Sequence, residues 1–252
     1  MPTPVSITKY VPGTYARKRP DAATMAAQSI QQWEQRQRKL REQKEPTRPL
    51  PPCICFSRKI GAGALEVADI LSEKYGYRVY DRQILEHIVS EASLRDKTVA
   101  FFDERYPGKM TELGAMLFGE KSFVIGDYVR LLASTVYSLA ENGSCIFVGR
   151  GTHLLLPRDR VLAVRVISSP ANRLARVAKI MGVKEHEAAG KMDPIDKEQR
   201  DFFKQAFGKK EASPYEFDVI INCDFISDPR WAAAIVAKAF EKKFGKLIKE
   251  KK

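Results

Sequence analysis

Five short apolar runs separated by amphipathic stretches predict an α/β protein with a parallel five-stranded sheet flanked by helices. Three observations carry that expectation. The runs are short and of buried type, a helix-period segment follows nearly every one, and a glycine-rich turn follows the first. With 252 residues, 44% of them hydrophobic, the chain has material for a sizeable core, and five strands are a single-domain load.

The elements follow in order. Cys53-Ile54-Cys55-Phe56-Ser57 reads as the first strand, and Gly61-Ala62-Gly63 turns the chain. Leu65, Val67, Ala68, Ile70 and Leu71 then give a helix ending near Gly76. Tyr77–Tyr80 is the second strand, followed by a helix holding Ile84, Leu85 and Ile88. A helix with Tyr128, Leu131, Leu132, Val136 and Leu139 stops at Gly143, and Cys145–Val148 is the third strand. Val161–Ile167 is the fourth. Helices follow at about 170–181 and 184–206, the first opened by Ser169-Pro170 with proline at the first helical position. Phe217–Asn222 makes the fifth strand, and a helix over about 229–244 closes the fold. Residues 107–122 have three glycines and no clean period, so they read equally as a ligand-covering insertion or as an irregular loop. Residues 208–214 read as a mobile connection.

Residues 1–50 differ in kind. Prolines interrupt them, and the polar stretch 21–45 has only a thin stripe of Met25, Ile30, Trp33 and Leu40. The expectation is a flexible or loosely docked extension, joined through Glu45–Pro52 to a body over 51–245, with a basic tail at 246–252. Deleting residues 1–48 should then leave the body folded.

The net charge is +12, of which residues 1–50 hold +6 and residues 238–252 hold +5. The body is therefore nearly neutral. The charge licenses weak, salt-sensitive contact of the two tails with nucleic acid or an anionic surface, and no nucleic-acid-binding body. No apolar run reaches the length of a membrane span, and the N-terminus lacks a signal-peptide core, so the expected location is cytoplasmic. The four cysteines form no CxxC pair and the three histidines have no ligand spacing, which argues against a zinc site.

Ligands in such sheets bind at the carboxyl ends of the strands. After the first strand, Ser57-Arg58-Lys59-Ile60-Gly61-Ala62-Gly63-Ala64 has the outline of a phosphate-binding loop: glycines that let backbone N–H groups approach, then a helix N-terminus that favours an anion. It departs from the usual signature. Arg58 stands at the first glycine position, Ala64 at the lysine, and Leu65 or Glu66 at the magnesium-binding hydroxyl. A dinucleotide fingerprint is a competing reading, with Asp81 placed as the ribose-binding acid, but Glu66 occupies its third glycine position. A glycine turn with no ligand is the bland alternative.

The ordered set resembles the cytidylate kinase-like family of P-loop kinases. It comprises Ser57–Gly63, Tyr80-Asp81-Arg82, Phe102-Asp103-Glu104-Arg105-Tyr106, Val148-Gly149-Arg150-Gly151, Ser169-Pro170 with Arg173 and Arg176, and Asp196-Lys197 with Arg200. The resemblance implies a P-loop nucleotide kinase-like sheet, a lid over about 182–214, ATP as phosphate donor and Mg2+. It implies Arg150, Arg173, Arg176 and Arg200 as catalytic cations. It makes Ser57, Arg58, Lys59, Gly61, Ala62, Gly63 and Ala64 the phosphate loop, and Asp81, Arg82, Gly149 and Arg150 the acceptor site. The lid residues are Asp196, Lys197 and Arg200. Asp81 either serves Mg2+ through water or merely caps the helix after the second strand. Arginine suits phosphoryl transfer because its planar fork binds phosphate oxygens in pairs. The expected activity is transfer of the ATP γ-phosphate to a pyrimidine monophosphate, CMP first. Family members commonly have Gly and Arg where this chain has Ala64 and Leu65, which supports a second reading: a nucleotide-binding regulator without catalysis, its basic tails contacting a polyanion or partner. The sequence leaves the oligomeric state open.

Overall fold

The computed structural model describes residues 21–42, 49–118 and 126–249. The expectations for residues 1–20, for 45–48 of the linker and for the last residues of the basic tail lie outside the described residues.

A polar helix, α1 (Ala22–Glu42), comes first. Strand β1 (Cys53–Arg58) is buried at all six positions, as a central parallel strand must be. Helix α2 (Ala64–Tyr75) follows, then β2 (Arg78–Asp81), α3 (Arg82–Ser90), α4 (Ala92–Arg105) and α5 (Lys109–Phe118). Helix α6 (Asp127–Glu141) leads into β3 (Cys145–Val148) and the single-turn α7 (Thr152–Leu155). Strand β4 (Val161–Ile167) is followed by α8 (Pro170–Met181) and the long α9 (Glu185–Phe207). Strand β5 (Val219–Asn222) and α10 (Pro229–Lys249) end the fold.

The sheet is parallel throughout, in the order β2-β3-β1-β4-β5. The chain lays β2 on one side of β1 and β4 on the other, so the carboxyl end of β1 is the switch point where such sheets bind ligands. Two apolar layers cover the sheet. Cys53 and Cys55 of β1 face a layer built from α1, α3, α4, α6, α7 and α9, while Ile54 and Phe56 face α2 and α10. Among the described residues, no helix is long and apolar enough to cross a membrane.

Two segments for which the sequence allows alternatives take definite form. Helix α1 is docked: Ala26, Ile30 and Trp33 are buried in the first layer, and Leu50, from the expected linker, joins them. Trp33 meets Phe101 edge-on at 4.8 Å, and Arg36 donates to the Asn142 carbonyl at 2.5 Å. Ala22 and Met25 also pack against that layer at partial burial. Residues 109–118, left open between insertion and loop, are the helix α5, with Leu113 buried; 119–122 fall outside the described residues.

Candidate active site

Three arginines reach one cleft from three strand ends. Arg58 closes β1, Arg82 opens α3 directly after β2, and Arg150 follows β3; each is at least nine-tenths buried. Ser57, Lys59, Gly149, Gly151, Arg165, Asp196, Gln199, Arg200 and Phe202 line the same cleft.

The turn after β3 aims Arg150. Gly149, Arg150 and Gly151 all have positive φ (97°, 53° and 66°), and the Gly149 amide donates to the Phe56 carbonyl at 2.8 Å. A non-glycine residue held there costs about 1–3 kcal/mol, which the surrounding contacts must supply. They are numerous. The Arg150 guanidinium lies 4.1 Å from the centre of the Phe202 ring and pairs with Glu86 and with Glu198, the latter at 3.1 Å. Burial, then the charges of Arg82 and Arg58, bring its pKa down to about 9, against the favourable pull of Glu198. Arg82 donates through Nε to Glu86 at 3.0 Å, and its Nη2 lies 2.5–2.6 Å from both Glu198 oxygens. Burial pushes the Glu198 carboxyl up, but hydrogen bonds from Arg82 and the charges of both arginines hold it below the ordinary glutamate value.

The loop after β1 forms a second concavity of about 20 Å³, lined by residues 58–66 and Arg176. Gly61 and Gly63 sit at φ 76° and 92°, and no side chain caps α2, which leaves its N-terminal end open to an anion. A Cβ at Gly61 would meet the Arg173 carbonyl oxygen and Val177 at 2.8 Å, so α8 packs directly on the loop. Arg176 stands over it, 3.4 Å from where a Gly63 Cβ would lie and 2.7 Å from Glu66. The loop lacks its lysine, and α8 brings a guanidinium over Gly63. Ala64 lines that concavity without a side-chain cation.

The other expected site residues divide. Arg200 lines the cleft from the exposed side of α9, whereas Lys197 is exposed and outside its lining. Arg173 is turned away from the cleft, donating to the Ile60 carbonyl (3.0 Å) and to Asp196 (2.8 Å), and so fastens α8, α9 and the loop together. Asp81 accepts from the Gln83 and Ile84 amides at 3.0 and 3.2 Å, the geometry of a helix cap. Lys59 pairs with Glu211 at 3.7 Å, and Ser57 accepts from Arg165 at 2.6 Å.

Sequence reasoning missed Glu86, Glu198, Gln199 and Phe202. Glu86 carried a signal, since it lies four residues after Arg82 on one helix face. The others are on α9, whose register against the cleft no local pattern gives. Gln199 donates to the Arg58 carbonyl at 2.6 Å, so α9 is tied to β1 as well. A larger cavity, about 420 Å³, lies beside the N-terminal end of β4 between α5, α6 and α7. Its cations Lys109 and Arg158 are already paired with Glu112 and Asp218, and no phosphate site converges there.

Residues 53–224 match the family described as the Cytidylate kinase-like family. A search of curated proteins returned no match. Among solved structures, an uncharacterized protein from Eubacterium ventriosum is 19% identical at a TM-score of 0.56, covering 76% of this chain and 98% of its own. At that identity the likeness speaks to the fold. Shikimate kinase from Bacteroides thetaiotaomicron (16% identity, TM-score 0.35) covers 76% of this chain and 96% of its own. TT1252 from Thermus thermophilus (16% identity, TM-score 0.33) covers 75% and 98%.

Proposed function

Because the chain belongs to the cytidylate kinase-like family, we propose that it transfers the γ-phosphate of ATP to a nucleoside monophosphate, with CMP the first acceptor to try. The observation that carries the reading is the convergence of Arg58, Arg82 and Arg150 from three strand ends on one cleft at the switch point. Phosphoryl transfer asks a protein mainly to hold donor and acceptor in line and to spread charge.

In this reading Arg82 and Arg150 take the acceptor's phosphate, which needs buried, preorganised forks. The loop amides and Arg176 receive the donor's phosphates. An acceptor phosphate oxygen attacks the γ-phosphorus as the bond to the bridging β,γ-oxygen breaks, giving ADP and a nucleoside diphosphate. Arg200, on the exposed side of the cleft, meets the transferring group. Mg2+ supplies neutralisation of the donor phosphates when bound. Among the described residues, no cluster of three or more His, Cys, Asp or Glu gathers to hold a metal. Nucleotide and water would hold the ion, with Glu66, paired to Arg176, as the carboxylate beside the loop.

The test is magnesium-dependent ATP turnover against a panel of monophosphates, with Arg150→Ala alongside. Turnover that Arg150→Ala reduces about a hundredfold or more supports the reading. Turnover of no monophosphate, with nucleotide still binding, overturns it in favour of a nucleotide-binding regulator. Ala64 and Leu65, which put no cation and no hydroxyl in the loop, are the observation on that side.

A further inference from the structure

Glu198 reaches the arginine pair from a different element than the rest of the site. Glu86 already pairs with both Arg82 and Arg150 from within α3, so the arginines do not need a second acid to fix them. Glu198 nevertheless lies on α9 with its carboxylate bridging the two guanidinium groups, both oxygens close to Arg82 and one close to Arg150. Anionic oxygens shared between two arginine forks are what a phosphate, like a carboxylate, would place there. The surrounding contacts draw α9 down over the same place: Gln199 on the Arg58 carbonyl, Phe202 under Arg150, and Phe207 against Gly151, where a Cβ would collide with the ring. With α9 so placed the cleft encloses only about 60 Å³, far below the roughly 300 Å³ or more of a small-molecule site. A nucleotide cannot enter without α9 moving.

We infer that Glu198 is an internal stand-in for the acceptor's phosphate, a latch that closes α9 on the empty cleft and that a phosphate monoester dianion must displace. The inference rests on the reading of Arg82 and Arg150 as the acceptor-phosphate site. The charges select the displacing group. The cations lining the cleft, Arg58, Lys59, Arg82, Arg150, Arg165, Arg200 and Lys210, outnumber the acids Glu86, Asp196, Glu198 and Glu211 by three. Exchanging the single charge of Glu198 for the two of a phosphate monoester lowers that excess to two. A carboxylate or phosphodiester, with one charge, leaves the balance where Glu198 already has it and gains nothing. The site therefore favours a terminal phosphate over a diester.

The experiment is calorimetric titration of the full chain and of Glu198→Gln with CMP, inorganic phosphate and cytidine. Hydrogen exchange over residues 196–207 without nucleotide accompanies it. Glutamine keeps the shape and removes the charge. CMP and inorganic phosphate should bind Glu198→Gln about tenfold more tightly, the factor expected if the latch leaves the site open a tenth of the time. Cytidine also needs α9 open, so it should gain by the same factor in Glu198→Gln while binding both proteins far more weakly than CMP, and exchange should rise in 196–207 alone. If Glu198→Gln binds CMP no more tightly while Arg150→Ala weakens binding, the acceptor site stands and the latch is overturned. A rise in exchange across every element likewise overturns it, because Glu198 would then be a general support of the fold. If wild type and Glu198→Gln both fail to bind CMP and inorganic phosphate, or Arg150→Ala leaves CMP binding unchanged, the acceptor-site reading itself fails and the latch with it.

Discussion

Replacing Trp33 with alanine tests whether α1 is part of the fold. Trp33 is 5% exposed and packs edge-on against Phe101. Truncating a buried tryptophan costs about 3–5 kcal/mol in lost transfer energy and residual cavity. The indole N–H has no hydrogen-bond partner among the described residues, and removing an unsatisfied buried donor returns about 1 kcal/mol of that cost. The net destabilisation is then about 2–4 kcal/mol, or roughly 5–15 °C in Tm for a domain of this size. The assay is thermal unfolding followed by circular dichroism, with Trp33→Phe as control. Phenylalanine keeps a ring against Phe101 and discards the orphan donor, so its cost should stay below about 1.5 kcal/mol. A Trp33→Ala loss under about 1 kcal/mol would refute the reasoning, as would a Trp33→Phe loss equal to it. By the same reasoning, deletion of residues 1–48 should destabilise the body and not spare it. Removing α1 uncovers α3, the helix that carries Arg82 and Glu86.

Three further predictions follow from the same contacts. Gly61→Ala should lower ATP affinity at least tenfold and also lower Tm, since its Cβ would meet backbone of α8 at a φ of 76°; unchanged affinity by calorimetry would show that the loop does not hold the donor. Arg200→Ala should reduce turnover about a hundredfold while shifting stability by no more than about 0.5 kcal/mol, because the side chain is exposed; steady-state kinetics and melting curves separate the two. His153 is buried beside Glu216 at 3.2 Å, and burial, only partly opposed by that carboxylate, lowers its pKa. The unfolded chain thus takes up the proton first, so stability should be full above about pH 6.5 and fall as pH drops toward the folded pKa; a urea-unfolding series that is flat from pH 7 to 5, or unchanged by His153→Gln, would contradict this.

The sheet was legible because its causes are local. Uniformly buried strands such as β1 require continuous apolar runs, and the glycine and Ser-Pro signals marked where helices stop and start. Helix α1 was not legible in the same way. Its apolar stripe is narrow, and a narrow stripe fits an extension lying free in solvent as well as one docked on the body. Nothing local tells Ala26, Ile30 and Trp33 that α3, α4 and α6 leave a groove of the right shape. The charged contacts that accompany docking, Lys97 to Glu34 and Arg36 to Asn142, join residues more than 60 apart in sequence.

The site divides along the same physical line. Residues set by a strand's end, Arg58, Arg82 and Arg150, could be placed in one cleft from sequence, since parallel strands must present their carboxyl ends together. Residues set by a helix's rotation could not. Arg173 and Arg176 are three apart on α8, yet one is spent on Asp196 and the Ile60 carbonyl while the other stands over the loop. On α9, neighbouring residues part company in the same way: Lys197 faces solvent, while Glu198 enters the arginine pair. A motif that counts cations along those helices therefore overstates the charge available to a phosphate. It also overlooks the acid that opposes it, and Glu198→Gln is where the two accounts give opposite signs.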